Sequence, residues 1–67
     1  MKLEALKDIL KSPRGSIQFC IVYDRETDLD LAYGCSVEYA VKTYGDCIVK
    51  NISSVLEEEM AYILITI

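Results

Sequence analysis

The sequence predicts an α+β domain: a four-stranded, mostly antiparallel sheet with two short helices on one face, in the order α-β-β-α-β-β. Three observations lead there. Apolar residues recur at three- and four-residue spacing in two separate stretches, they alternate with polar residues in two others, and the chain closes on a run of branched residues, Met60 to Ile67. With 67 residues, 52% of them apolar and 27% charged, the chain reads as one globular domain spanning 1–67. A chain this short buries only about 60% of the surface its unfolded form exposes, so its stability is small.

The elements follow in order. Leu3, Leu6, Ile9 and Leu10 lie between charged residues and predict an amphipathic helix over 2–11, ended by Ser12-Pro13-Arg14-Gly15. Ile17, Phe19, Ile21 and Tyr23 then alternate with Gln18, Cys20 and Val22, a strand with one strongly apolar face and one mixed face. After the polar turn 24–28, Leu29, Leu31 and Tyr33 predict a short second strand that pairs with the first as a hairpin. Val37, Ala40, Val41 and Tyr44 form a second helical stripe. Ser36 is placed as its N-cap, Glu38 lies in the first turn where the helix dipole favours a carboxylate, and Gly45 falls just past the end. Cys47 to Ser53 reads as the third strand and Ser54 to Glu59 as a connection.

The closing strand runs to Ile67 and is expected to be docked, because branched residues stand where a tail is normally polar and frayed. Ala61, Ile63, Ile65 and Ile67 lie on one side, Met60, Tyr62, Leu64 and Thr66 on the other. Two short helices cannot cover both faces of a sheet. The expected interaction face is therefore Tyr62 and Leu64, joined by Val22 of the first strand, and it packs against a second copy, giving a homodimer, or against a partner protein. The competing reading has Tyr62 lying over a neighbouring strand with its hydroxyl in water.

Charge and composition exclude several functions. Residues 1–22 carry four basic and two acidic side chains, and residues 23–67 carry three and nine, for a net charge of −4. Nucleic-acid binding needs clustered Lys and Arg, which this chain lacks. Asp24, Glu26, Asp28, Asp30, Glu57, Glu58 and Glu59 form a candidate acidic surface for a basic partner, or a solvated face that keeps an apolar protein dispersed. The alternation of carboxylates over 24–30 is not a calcium loop. With Asp24 at the first position, Leu29 occupies the sixth, which needs glycine, and Cys35 the twelfth, which needs glutamate.

Three cysteines, Cys20, Cys35 and Cys47, come without histidine, without a Cys-x-x-Cys pair and without a secretory apolar run at the start. No disulfides, no metal site and no cofactor are expected, and no window is apolar enough to span a membrane. A reducing cytoplasm fits. Cys35, just before the second helix, is the one thiol whose pKa a helix field could lower, but no histidine is present to act as its base, and no catalytic residue is assigned. Glu57 to Glu59 lack a cleft that could hold a sugar, and Gly15, Gly34 and Gly45 are too isolated to form a phosphate loop. Five tyrosines, at 23, 33, 39, 44 and 62, are available to line an interface or stack on a base.

Leu3-Glu4-Ala5-Leu6, Tyr33-Gly34-Cys35-Ser36-Val37, Tyr44 to Ile52 and the closing Ile63-Leu64-Ile65-Thr66-Ile67, taken together, resemble small uncharacterised accessory proteins of phages and prophages of Gram-positive bacteria. The resemblance covers nearly the whole chain and rests on structural motifs, so it carries over no functional residue. It implies a small acidic domain that binds and blocks a host protein such as a defence nuclease. The expected function is thus a non-enzymatic protein-interaction module of mobile-element origin. The alternative is a small-molecule or nucleotide sponge with its site at a subunit interface, the tyrosines stacking on the base and Lys42 and Lys50 meeting the phosphate.

Overall fold

The computed structural model describes residues 1–8 and 18–67. It shows the α+β architecture, with a 3-10 helix at Leu3–Lys7, then β1 (Phe19–Asp24), β2 (Leu29–Ser36), α1 (Val37–Tyr44), β3 (Asn51–Glu57) and β4 (Met60–Thr66). The strand order is β2-β1-β4-β3. The two hairpins, β1 with β2 and β3 with β4, are antiparallel, but β1 and β4 meet in the middle as a parallel pair. The sheet is therefore mixed rather than mostly antiparallel. After β2 the chain crosses through α1 to the far edge, and β3 turns back so that β4, the strand apolar on both sides, takes the centre beside β1.

The first helix is shorter and tighter than its periodicity predicts. Residues 3–7 form a 3-10 helix whose N-cap, Lys2, offers no capping side chain. Without a cap, and with only five residues to repay nucleation, the short 3-10 form is favoured. Its three-residue turn lines up Leu3 with Leu6, and both are fully buried. The predicted continuation through Ile9 and Leu10, the stop at 12–15 and the strand start at Ile17 lie outside the described residues.

Helix α1 begins where predicted, with the Ser36 hydroxyl accepting from the Tyr39 N–H at 3.1 Å. Gly45 follows it in a right-handed conformation, so the left-handed cap its glycine suggests is not formed. Its missing side chain serves close approach instead: a Cβ there would run into the Val41 carbonyl and crowd Glu4. That contact seats the 3-10 helix, with the Glu4 N–H donating to the Gly45 carbonyl and the Leu3 N–H to Cys47.

The third strand is displaced towards the C-terminus. Val49 donates to Met1 and Ile48 bridges Lys2, so the first part of the branched run pairs with the N-terminus, and β3 itself starts at Asn51. It continues through 54–57, predicted as a connection, because Glu57 pairs with Met60 and leaves only Glu58 and Glu59 as the turn. Ile67 docks as expected: its N–H donates to Tyr23 and its carbonyl accepts from Arg25, extending the parallel ladder. The core lies on the helix side, where Leu3, Leu6, Cys20, Val22, Ala40 and Ile65 are fully buried. No helix among the described residues is long and apolar enough to cross a membrane.

Candidate interaction surfaces

Cross-strand partners share a face, so the register defines the side of the sheet opposite α1. Ile21 pairs with Tyr33 and Leu64, Tyr62 with Val55, and Tyr23 with Thr66. No described helix or strand packs over this side. Tyr62 and Leu64 lie here as predicted, both half-buried. Val22 does not. It pairs with Ile65 and Ala32 on the helix side and is fully buried. The mixed face of β1, with Cys20 and Val22, is the one under the helices, where it packs in one cluster with Leu3, Leu6, Ile65 and, from α1, Ala40, with Val37, Val41 and Tyr44 beside it. Ile21 and Tyr23, the bulkier face, turn the other way.

The centre of this open face is a tyrosine pair that the sequence reading missed. Tyr33 from β2 and Tyr62 from β4 meet across the intervening β1, ring centroids 5.4 Å apart and tilted by 51°. Gly34 lies beside the pair at a register shift with φ +72°, a left-handed backbone that favours glycine, and Tyr62 is at ordinary contact distance, 3.9 Å, from where its Cβ would be. Ile21, flanked by Tyr33 and Leu64, is only 3% exposed, whereas Tyr33 itself is 53% exposed. Tyr23 completes the row, donating its hydroxyl to Asp28, and this hydrogen bond pushes its pKa up. Only knowledge of the strand order places these three tyrosines on one face. Tyr39 and Tyr44 belong to α1, and the Tyr44 hydroxyl is tied to the Leu31 carbonyl at 3.2 Å.

The seven acidic residues do not form one surface. Because β1 and β4 run parallel, the turn after β1 and the turn before β4 lie at opposite ends of the sheet. Asp24, Glu26, Asp28 and Asp30 therefore cluster at one end and Glu57, Glu58 and Glu59 at the other. At the first end Asp24 caps the Glu26 N–H at 3.0 Å and Asp28 is held by Tyr23, so these carboxylates shape their own turn. Among the described residues no three His, Cys, Asp or Glu side chains converge on a point that could hold a metal ion.

An open hollow of about 430 Å³ lies between the β2 edge and α1, lined by Leu31, Ala32, Tyr33, Cys35, Ser36 and Tyr39. No lysine or arginine lines it. Lys42 borders a different, smaller hollow of about 210 Å³ beside Tyr44 and Gly45, and Lys50 precedes β3, so neither lines the hollow of Tyr33 and Tyr39.

Cys35 lies just before α1, yet its thiol pKa is raised, not lowered. Burial pushes its thiol pKa up, against a smaller lowering by a backbone hydrogen bond. Cys20, directly opposite on β1, is raised to about 11, chiefly by burial and further by the Cys35 charge. A thiol raised in the folded state stabilises fully below its unfolded value, here 9.0, and that contribution is lost as pH rises towards 11. Urea unfolding at stepped alkaline pH should therefore show stability falling across this window, with the fall reduced in Cys20→Ala. An equal fall in both proteins assigns the loss to other groups.

No protein family, curated protein or solved structure matches the chain.

Proposed function

We propose that this chain is a non-enzymatic protein-interaction module whose binding surface is the open sheet face centred on Tyr33 and Tyr62. The observation that carries the reading is this tyrosine pair, half of Tyr33 exposed, seated on buried Ile21. Rigid aromatic side chains on a packed base are what protein interfaces use as anchors, since they bury large area at small entropic cost. The acidic turns at both ends of the sheet suit a partner whose contact surface is apolar in the middle and basic at its edges. The likeness to phage accessory proteins supports a bacterial host protein as that partner, with blockage of its activity as the result.

Photo-crosslinking from position 33 in a bacterial host tests the reading. One protein should be captured there and not from position 42, and the purified partner should bind the chain and lose about 30-fold or more in affinity to Tyr33→Lys. Capture of nothing, or undiminished binding by a folded Tyr33→Lys, overturns it. The second reading, a sponge for a planar small molecule, rests on the hollow between Tyr33 and Tyr39. A nucleotide that raises the melting temperature would move that reading to first place.

A further inference from the structure

The two edges of the sheet are built differently. The β2 edge carries two register shifts against β1, a left-handed glycine at 34 and Asp30 within the strand, all devices that spoil a template for further pairing. The β3 edge has no register shift and no glycine, and its one charged residue, Glu57, stands at the end of the strand. Its seven residues, Asn-Ile-Ser-Ser-Val-Leu-Glu, pair with β4 in unbroken register, contain no proline or lysine, and are exposed at every position but Val55. On its outer side no strand pairs with it among the described residues, since the N-terminal pairing stops at residues 47–49.

We infer that β3 is a homodimer edge, pairing antiparallel with β3 of a second copy about a two-fold axis at Ser54. The axis stands perpendicular to the sheet and keeps both helix layers on one side, so only residues of like face oppose each other. Of the registers this allows, the one centred on Ser54 overlaps the whole strand. It sets Ile52 against the second copy's Leu56, and Leu56 against its Ile52. These two are the exposed apolar residues of β3, at 38% and 75%, on the helix side but beyond the cover of α1. The same register brings Lys50 opposite Glu58 of the second copy, twice by symmetry, so the flanking charges are complementary. The product is a continuous sheet of twice four strands, with both tyrosine faces on one side. The inference stands on the edge alone and does not depend on what binds that face.

Sedimentation equilibrium of the full chain over a concentration series should give a monomer–dimer equilibrium. Leu56→Lys, at a position 75% exposed in the monomer, should weaken it by about tenfold or more, and Ser54→Pro, which removes the central N–H, should do the same. In the dimer, Ser54→Cys should oxidise to a 54–54 disulfide, located by peptide mapping, because directly opposed residues lie within disulfide reach. A wild-type protein that stays monomeric throughout overturns the inference. So does a dimer that Leu56→Lys leaves unchanged and Ser54→Cys does not crosslink, which would place the contact on another surface.

Discussion

Leu6→Ala is expected to leave the protein largely unfolded or close to its unfolding midpoint at room temperature. Leu6 is fully buried in the cluster with Leu3, Ala40, Cys20, Val22 and Ile65, and it reaches that cluster from a single turn of 3-10 helix. Removing a buried leucine side chain costs about 2–5 kcal/mol, partly in lost transfer energy and partly in the cavity left behind. A domain of this length has only about 3–10 kcal/mol in total. The 3-10 helix also has little else to hold it, since it lacks a side-chain cap and is seated by the backbone bonds of Leu3 and Glu4 to Cys47 and Gly45. Urea unfolding followed by circular dichroism, with exposed Lys7→Ala as control, measures the difference. A midpoint as high as the control's would mean that the N-terminal turn contributes little to the core.

The same residue shows what a sequence can and cannot convey. Leu3 and Leu6 were legible as core positions because burial depends on side-chain spacing, and a three-residue repeat serves both a 3-10 turn and an α-helix. Helix type depends on capping and length, which the apolar pattern does not encode. Helix α1 was legible in both respects, since Ser36 supplies the cap and the stripe from Val37 to Tyr44 fills its length. The two-sided apolar character of β4 correctly marked a strand with one face beneath helices and one outside. Its neighbour was not legible, because the parallel pairing with β1 arises from a crossover that leaves no local signature.

That missing fact accounts for two of the differences at the candidate site, and burial accounts for the others. Val22 was placed beside Tyr62 and Leu64 on the expectation that the strongly apolar face of β1 would be buried; the mixed face, with Cys20 and Val22, is the one in the core instead. The acidic residues were grouped by their proximity in sequence, and the parallel centre of the sheet sends the two groups to opposite ends. The Tyr33–Tyr62 pair needs three strands in a known order before it can be seen. Cys35 precedes a helix N-terminus, but it lies half-buried against β1, and desolvation raises its thiol pKa above the ordinary value.

The double substitution Glu58→Asn with Glu59→Gly should stabilise the folded monomer by about 2 kcal/mol, since a non-glycine residue held left-handed costs roughly 1–2 kcal/mol. Glu58 and Glu59 have φ of 48° and 69°, and Glu57 pairs with Met60 across them, so the loop is a two-residue hairpin turn with both residues left-handed. Asn-Gly is the sequence such a turn prefers. Glu-Glu is a poor choice on conformational grounds, and with Glu57 it also sets three like charges side by side. Melting at low concentration, where dimer does not contribute, isolates the monomer effect; an unchanged melting temperature would show that the turn relaxes in solution and holds no strain. The same substitution removes the carboxylate that faces Lys50 across the inferred β3–β3 junction. A more stable monomer that associates more weakly is therefore the expected pair of results, and it gives a physical reason for an acidic turn the backbone disfavours: its charge serves assembly rather than folding.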